Sequence, residues 1–111
     1  QTCALPISAV LADKVTQKTL SDCDESLRLR PKDAAILDSR GFSNLRLGRF
    51  SEAMSDFEAA ISIKRDLASS LYGRGIARLA VGNSVAGADD INLAKRLDPK
   101  AIETLLSVGI K

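Results

Sequence analysis

Two groups of neighbouring acidic residues are the side chains in this 111-residue sequence whose types and spacing are compatible with catalysis. The first group comprises Asp22, Asp24 and Glu25, and the second is the pair Asp89 and Asp90. Paired carboxylates can act as general acid and base or hold a cation. The chain has no His, however, so the commonest general base is absent. We therefore expect a solvated or salt-bridged acidic surface and no enzymatic activity.

The two cysteines, Cys3 and Cys23, do not have the spacing of metal ligands, and the missing His removes the commonest partner for zinc. The sequence therefore predicts no metal, no cofactor and no disulfide. Residues 1–7 resemble the translation of a sequencing adapter, and we exclude them from functional reasoning. Residues 1–13 are accordingly expected to be a non-native or disordered leader, which leaves Cys23 as an unpaired native cysteine.

The composition favours an all-α protein. Apolar residues make up 45% of the chain, led by the strong helix formers Ala and Leu, whereas aromatic residues make up 4%. Basic residues are interleaved with acidic ones, which argues against nucleic-acid binding. No apolar run approaches the roughly 20 residues of a membrane span, so we expect no membrane insertion. The unpaired Cys and the lack of a signal sequence favour the cytoplasm, although the sequence has no initiator Met.

A period of 34 residues organises most of the chain. A shift of 34 matches Arg40 and Gly41 with Arg74 and Gly75, and a double shift matches Pro31 with Pro99. Such self-similarity indicates stacked repeats of one supersecondary unit. Further matched pairs are Ala34 with Ala68, Leu37 with Leu71, Leu45 with Leu79, Gly48 with Gly82, Asp56 with Asp90, and Ala60 with Ala94.

Each repeat divides into two helices. Aspartate and serine residues stand where helix N-caps are expected, and Gly48 and Gly82 stand where a left-handed residue ends a helix. The expected caps are Asp33, Ser51, Asp66, Ser84 and Asp98, and the predicted helices lie near 14–29, 34–47, 51–63, 67–81, 84–97 and 100–109. Connections of two to four residues make consecutive helices antiparallel neighbours.

The spacing of small and large residues resembles the tetratricopeptide repeat. Small residues let helix backbones approach, and a large apolar residue fills the gap beside them. The positions matching this packing pattern are Gly41, Ala53, Phe57, Ala60, Gly75, Gly87, Ile91 and Ala94. The resemblance implies a right-handed solenoid of antiparallel helical hairpins with about 2.5 repeats, and it places Cys23 at a buried packing position. It divides the chain into the second half of a truncated repeat at 14–33, repeats at 34–67 and 68–101, and a capping helix at 102–111, as the C-terminal fragment of a longer array.

The resemblance also implies a concave groove that is lined by the first helix of each pair and binds a peptide. The residues at the family's groove positions are Asp38, Phe42, Leu45, Arg46, Tyr72, Ile76 and Leu79. Phe42, Tyr72 and Ile76 would form an apolar strip, unless several of these side chains belong to the core instead. Chaperone-tail binders of this family clamp a carboxylate with Lys and Asn, which are absent from the matching positions here, so that binding mode is not expected.

Arg40 and Arg74 recur at one repeat position and allow two interpretations. One interpretation is a ladder for an acidic ligand, since guanidinium groups pair well with carboxylates. The favoured alternative is that each Arg reaches the Asp of its own hairpin, Asp56 or Asp90, and ties the two helices together.

The sequence therefore predicts a protein–protein interaction scaffold or adaptor that has no catalytic chemistry of its own. Two alternatives remain open at this stage. The first alternative to a scaffold is a self-associating structural segment, and the second is the non-catalytic tail of a larger enzyme or regulator. Repeats of this kind serve many ligands, so the sequence does not name the partner.

Overall fold

A computed structural model describes Cys3 and residues 17–107 of the chain. Within residues 17–107 the fold is all-helical and has no strand, which confirms the predicted all-α class. The helices are α1 Gln17–Leu29, α2 Ala34–Arg46, α3 Phe50–Ile63, α4 Ala68–Ala80, α5 Ser84–Leu97 and α6 Pro99–Ser107.

The helices form a stack of antiparallel hairpins. Each helix packs against the next one in sequence, as expected for helices joined by short turns. In addition, α2 packs against α4, and α4 packs against α6. The helices α2, α4 and α6 therefore lie side by side in one layer, and the layer positions the side chains of α2 and α4 for a shared surface.

Two glycines end helices and two aspartates cap helices at the positions that the sequence predicts. Gly48 has φ +77° and Gly82 has φ +90°, the left-handed region in which Gly carries no steric penalty. Asp33 accepts hydrogen bonds from the backbone N–H groups at residues 35 and 36, so it caps α2. Asp98 accepts one from the backbone N–H of Ala101 in the first turn of α6. These predictions are confirmed.

The other three predicted N-caps are wrong. Helix α3 begins at Phe50, so Ser51 lies inside its first turn, and Ser84 is the first helical residue of α5 rather than its cap. Leu67 holds the N-cap position of α4, one residue after Asp66. None of these three helices has a side-chain cap hydrogen bond. A shift of one residue is enough to move a side-chain oxygen away from the free N–H groups, so the residue type alone does not locate a cap.

Phe57 is the centre of the main core. Its ring is fully buried and meets the ring of Phe42 edge-on, with the ring centroids 4.9 Å apart. A Cβ added at Gly41 would lie 2.6 Å from Phe57 Cε1, and one added at Gly73 would lie within 2.3 Å of Phe57 Cζ. The two glycines therefore leave the space that this ring fills between α2 and α4.

The remaining packing residues also occupy close contacts. A Cβ added at Gly75 would lie 2.8 Å from the carbonyl oxygen of Gly87, and one at Gly87 would lie equally close to the carbonyl oxygen of Gly75. Helices α4 and α5 approach each other at this point because both residues lack a side chain. Ile91 is half-buried beside Gly75. The alanines at the packing positions are fully buried, namely Ala53, Ala60 and Ala94.

A disulfide joins Cys3 to Cys23, so the prediction that Cys23 is unpaired is wrong. The two Cα atoms are 4.3 Å apart, and both residues are buried in a second cluster with Leu27, Ile36 and Leu37. The predicted burial of Cys23 is nevertheless correct. Cysteine spacing does not reveal which side chains meet in the fold. The bond also removes the unpaired cysteine from the argument for a cytoplasmic location.

Several boundaries from the sequence fall outside the residues that the structure describes. The proposed leader at 1–13, apart from Cys3, and the start of the first helix at 14–16 are among them. The helix expected to cap the array at 102–111 begins earlier, at Pro99, and residues 108–111 lie outside the described part. Among the helices of residues 17–107, each is too short or too polar to cross a lipid bilayer.

Candidate functional site

The predicted groove residues lie on the neighbouring helices α2 and α4, but they differ widely in exposure. Phe42 and Tyr72 are each only 1% exposed, and Leu45 is also buried. Asp38, Arg46 and Ile76 are half-buried, and Leu79 is 42% exposed.

The apolar strip expected in the groove is therefore mostly part of the core. Phe42 and Tyr72 pack in the main cluster together with Ile102 and Leu105 of α6, so they present almost no surface to a partner. The interpretation as core residues is the correct one for Phe42, Leu45 and Tyr72. We call the remaining accessible residues the α2–α4 face, which comprises Asp38, Arg46, Ile76 and Leu79. The covered part of the Leu79 side chain packs against Gly87 of α5.

Asp38 forms a polar cluster across the α2–α4 face. Its carboxylate accepts hydrogen bonds from Ser70 Oγ at 2.5 Å and from Ser69 Oγ at 3.1 Å. Burial raises the pKa of Asp38 to about 6, and the hydrogen bonds from Ser70 and Ser69 oppose that increase. The carboxylate connects α2 to α4 and is the one groove residue whose titration is displaced toward neutral pH. Ser69 and Ser70 were not predicted as part of this cluster, because they lie 31 and 32 residues after Asp38 in the sequence.

The raised pKa of Asp38 makes a testable prediction about the pH dependence of stability. Because the folded pKa exceeds the unfolded one, the carboxyl contributes most stability below pH 4, and this contribution is lost as the pH rises to about 6. We expect the free energy of unfolding of the wild type, relative to Asp38→Asn, to fall by about 1–2 kcal/mol across that window.

Urea denaturation at several pH values between about 4 and 8 measures this difference. Asp89→Asn is the matched control, because it removes one exposed carboxylate from a helix surface. A constant difference between the wild type and Asp38→Asn over this range would contradict the raised pKa.

The arginine at the repeated position of each hairpin pairs with the aspartate of the same hairpin. In the first hairpin, Arg40 Nε donates to both oxygens of Asp56 at 3.1 Å, and Arg40 Nη2 donates to Asp56 Oδ1 at 2.7 Å. In the second, Arg74 Nε and Nη2 donate to the two oxygens of Asp90 at 2.9 Å. The favoured interpretation of these arginines is confirmed, and a ladder for an acidic ligand is not, since carboxylates already occupy both guanidinium groups.

Four further residues, Asn44, Arg78, Asp24 and Glu58, join these ion-pair networks and were not predicted from the sequence. Asn44 Nδ2 donates to Asp56 at 2.9 Å, and Arg78 Nη1, one repeat later, donates to Asp90 at 2.7 Å. Both follow their hairpin's arginine by four residues, so they lie on the same face of the helix. Asp24 of α1 accepts from Arg40 Nη1 at 2.8 Å. The networks connect each hairpin internally. The first also connects α1 to α2, and the second also connects α4 to α3, since Arg78 Nη2 lies 3.8 Å from Glu58.

The acidic groups considered for catalysis are mostly paired with basic residues. Asp22 lies 3.4 Å from Lys18 Nζ, and Glu25 accepts from Arg28 Nη2 at 2.6 Å. The hydrogen bond from Arg28 lowers the pKa of Glu25. Asp24 and Asp90 belong to the networks above, and Asp89 is exposed. In the described part of the chain, no three His, Cys, Asp or Glu side chains are grouped as metal ligands.

A polar cavity of about 410 Å³ lies between α1, α2 and α3. Arg49 Nη2 donates to Gln17 Oε1 at 2.8 Å beside it, and Glu52 and Ser55 contribute further polar groups. Arg40, Asp24 and Asp56 line it as well, so part of its charge is already neutralised by the ion pairs. The sequence did not predict this cavity, because its residues come from three helices that only folding brings together.

The chain is similar to human sperm-associated antigen 1. The two sequences are 29% identical over 96 residues, which cover 86% of this chain and 10% of that protein. The chain thus spans about a tenth of this relative's length. No protein-family model matches the chain.

Proposed function

We propose that this chain is a tetratricopeptide-type segment that serves as a protein–protein interaction scaffold, and that a peptide binds to its α2–α4 face. The observation that carries the proposal is the stacked-hairpin fold, in which two equivalent helices lie side by side and leave a face of mixed chemistry accessible. Repeats of this type act through extended surfaces shared by neighbouring units. The similarity to sperm-associated antigen 1 supports a repeat-type segment and leaves the partner open.

The chemistry of the α2–α4 face favours a partner segment that is neither purely apolar nor purely charged. Ile76 and Leu79 offer partly exposed aliphatic surface, while Asp38 and Arg46 offer opposite charges. A partner would gain affinity from the aliphatic contacts, and the two charges would set its direction and register. Asp38 would accept a hydrogen bond or pair with a basic side chain, because it already has two hydroxyl donors but no cation among its hydrogen-bond partners.

The same face is poorly suited to a C-terminal carboxylate. The positions at which chaperone-tail binders of this family carry Lys and Asn hold Asp38 with Phe42 and Tyr72 with Ile76. Phe42 and Tyr72 are buried, and Asp38 would repel a carboxylate. We therefore propose a partner that is not recognised by the carboxylate-clamp mode.

The proposal also assigns the chain no catalytic role and no cofactor. Its support is the pairing of most acidic side chains considered for catalysis with lysine or arginine, together with the lack of His in the sequence. A self-associating segment is less well supported than a scaffold. The described exposed residues of α1 are polar apart from Leu29, so its open side lacks the apolar area of a stable dimer.

A comparison of proximity-labelled partners tests the α2–α4 face. We expect Arg46→Ala combined with Leu79→Ala to reduce recovery of specific partners by about fivefold or more, since both side chains are accessible on the proposed face. The buried Phe42 and Tyr72 are unsuitable targets, because their truncation would destabilise the core.

Lys18→Ala combined with Val85→Ala is the matched control. It also removes one basic and one aliphatic side chain, at positions that are exposed and lie away from the α2–α4 face. Thermal denaturation of both double variants establishes that they are folded. Recovery of the same partners in equal amounts from both variants would remove the α2–α4 face as the binding site.

A further inference from the structure

We infer a second docking surface, separate from the α2–α4 face, at the edge of the stack where α1, α3 and α5 end. We propose that it binds an acidic segment of another protein that carries large apolar side chains along one side. The surface consists of an apolar row, Leu29, Ile63 and Leu97, and of six basic residues around it. We refer to it as the basic–apolar edge.

The apolar row arises because the chain reverses at every turn. Helices α1, α3 and α5 run in the same direction, so their last residues, Leu29, Ile63 and Leu97, all lie at one edge. These residues are spaced by 34 and are 66%, 46% and 44% exposed. Three exposed aliphatic side chains therefore follow one another along this edge.

The charge of this edge differs sharply from that of the whole chain. Residues 28–33, 62–67 and 95–100 contain eight basic and three acidic residues, a net charge of +5, whereas the whole chain carries +2. The remainder of the molecule is therefore net acidic. Two of the three acids, Asp33 and Asp98, are already occupied as helix caps.

Most of the basic side chains at this edge have no carboxylate partner. Arg28 is paired with Glu25, and Arg30 lies 4.0 Å from Asp33. The other six form no ion pair with any residue in the described part of the chain and are exposed, namely Lys32, Lys64, Arg65, Lys95, Arg96 and Lys100. Unpaired surface charges of one sign create a field that attracts a ligand of the opposite sign.

Stabilisation of helix ends explains only part of this arrangement. Cations in the last turn interact favourably with the helix dipole, which accounts for Lys95 and Arg96 in α5. Lys32 and Lys100 lie outside the final turns of α1, α3 and α5, so the dipole gives no reason for them. It also gives no reason for an exposed leucine or isoleucine at the end of each of α1, α3 and α5.

An acidic segment of a protein matches both components of the edge. In a helix, residues seven apart lie on the same side, so an acidic helical segment can present large apolar side chains to the apolar row. Acidic residues between them would meet the six unpaired cations. A nucleic acid would meet the charge but leave the apolar row uncovered. A lipid surface is less favoured, because the row is narrow and this edge carries none of the aromatic side chains common in interfacial anchors.

Fluorescence anisotropy with the full chain and a labelled synthetic peptide tests the proposal. The probe is a helical peptide of about 16 residues, rich in Glu, with Leu at every seventh position. We expect saturable binding that weakens with salt, because six exposed cations contribute. Ile63→Ser combined with Leu97→Ser, and separately Lys95→Glu combined with Arg96→Glu, should each weaken binding by about tenfold or more.

Matched controls separate this edge from other surfaces. Val81→Ser combined with Val85→Ser changes two exposed aliphatic residues at the opposite edge and should leave the peptide affinity within about twofold. Arg46→Ala combined with Leu79→Ala should also leave the peptide affinity within about twofold. The test of the α2–α4 face and the test of this edge can therefore fail independently. Circular dichroism establishes that the variants are folded.

Four outcomes would overturn the proposal. The first two are that the acidic peptide does not bind, or that the edge variants bind it as well as the wild type does. The third is that a peptide with Ser in place of Leu binds equally well. The fourth is that phosphatidylserine vesicles or single-stranded RNA bind to this edge more tightly than the peptide does. Sedimentation of the chain alone adds a fifth. Dimerisation that the edge variants abolish would make a second copy of this chain the occupant and overturn the choice of an acidic partner.

Discussion

Phe57→Ala is expected to lower the free energy of unfolding by about 3–5 kcal/mol. The ring is fully buried, fills the space that Gly41 and Gly73 leave open, and meets the ring of Phe42 edge-on. Truncation would lose the transfer free energy of the ring and leave a cavity, because the surrounding helix backbones cannot close a gap of that size. Since small domains are stable by about 5–15 kcal/mol, this loss would be a large part of the total.

Urea denaturation followed by circular dichroism measures the change as a shift of the midpoint. Leu93→Ala is the control, because Leu93 is an aliphatic residue on α5 that is 37% exposed, and its truncation should cost well under about 2 kcal/mol. If Phe57→Ala shifts the midpoint no further than Leu93→Ala, Phe57 does not hold the two hairpins together.

Asp90→Asn is expected to lower the free energy of unfolding by about 2–4 kcal/mol. The carboxylate is 8% exposed and accepts hydrogen bonds from both Arg74 and Arg78. The substitution keeps the size of the side chain but leaves two partly buried guanidinium groups without their common counter-ion. The guanidinium side chains are 19% and 23% exposed, so water screens part of the cost and keeps it below that of a fully buried pair.

The adjacent residue supplies the control for this substitution. Asp89→Asn makes the same chemical change one residue earlier, on the exposed side of α5, and should alter stability by less than about 0.5 kcal/mol. Replacing Arg74 and Arg78 with Met in the Asp90→Asn background should recover part of the loss, because no buried cation is then left unpaired. Equal destabilisation by Asp89→Asn and Asp90→Asn would show that the network contributes nothing specific.

The hairpin contacts were predictable because they recur with the period of the chain. Arg40 with Asp56 and Arg74 with Asp90 are each 16 residues apart, which is the distance between facing positions of two short-linked antiparallel helices. The glycines that end α2 and α4 were predictable for a related reason. A left-handed residue directly after a helix is usually Gly, so Gly48 and Gly82 mark their turns from local sequence alone.

The exposure of the groove residues was not predictable in the same way. Phe42 and Tyr72 occupy positions that line a groove in the repeat family, yet both are buried. Exposure depends on which side chains neighbouring helices supply. Here Gly41 and Gly73 bring helices close to Phe57, and Ile102 and Leu105 of α6 complete the same core. The surface left for a partner therefore shrinks to Asp38, Arg46, Ile76 and Leu79.

The order of residues along the chain was enough to predict the all-α class, the 34-residue period, the helices and, as the favoured of two interpretations, the two arginine–aspartate pairs. These features depend on local geometry and on repetition, which a linear pattern contains. Tertiary structure alone decided the Cys3–Cys23 disulfide, the Asp38 cluster with Ser69 and Ser70, and the basic–apolar edge. Each of these joins residues 20 or more positions apart, and the basic residues that alternate with acids in sequence meet at one edge because every turn reverses the chain.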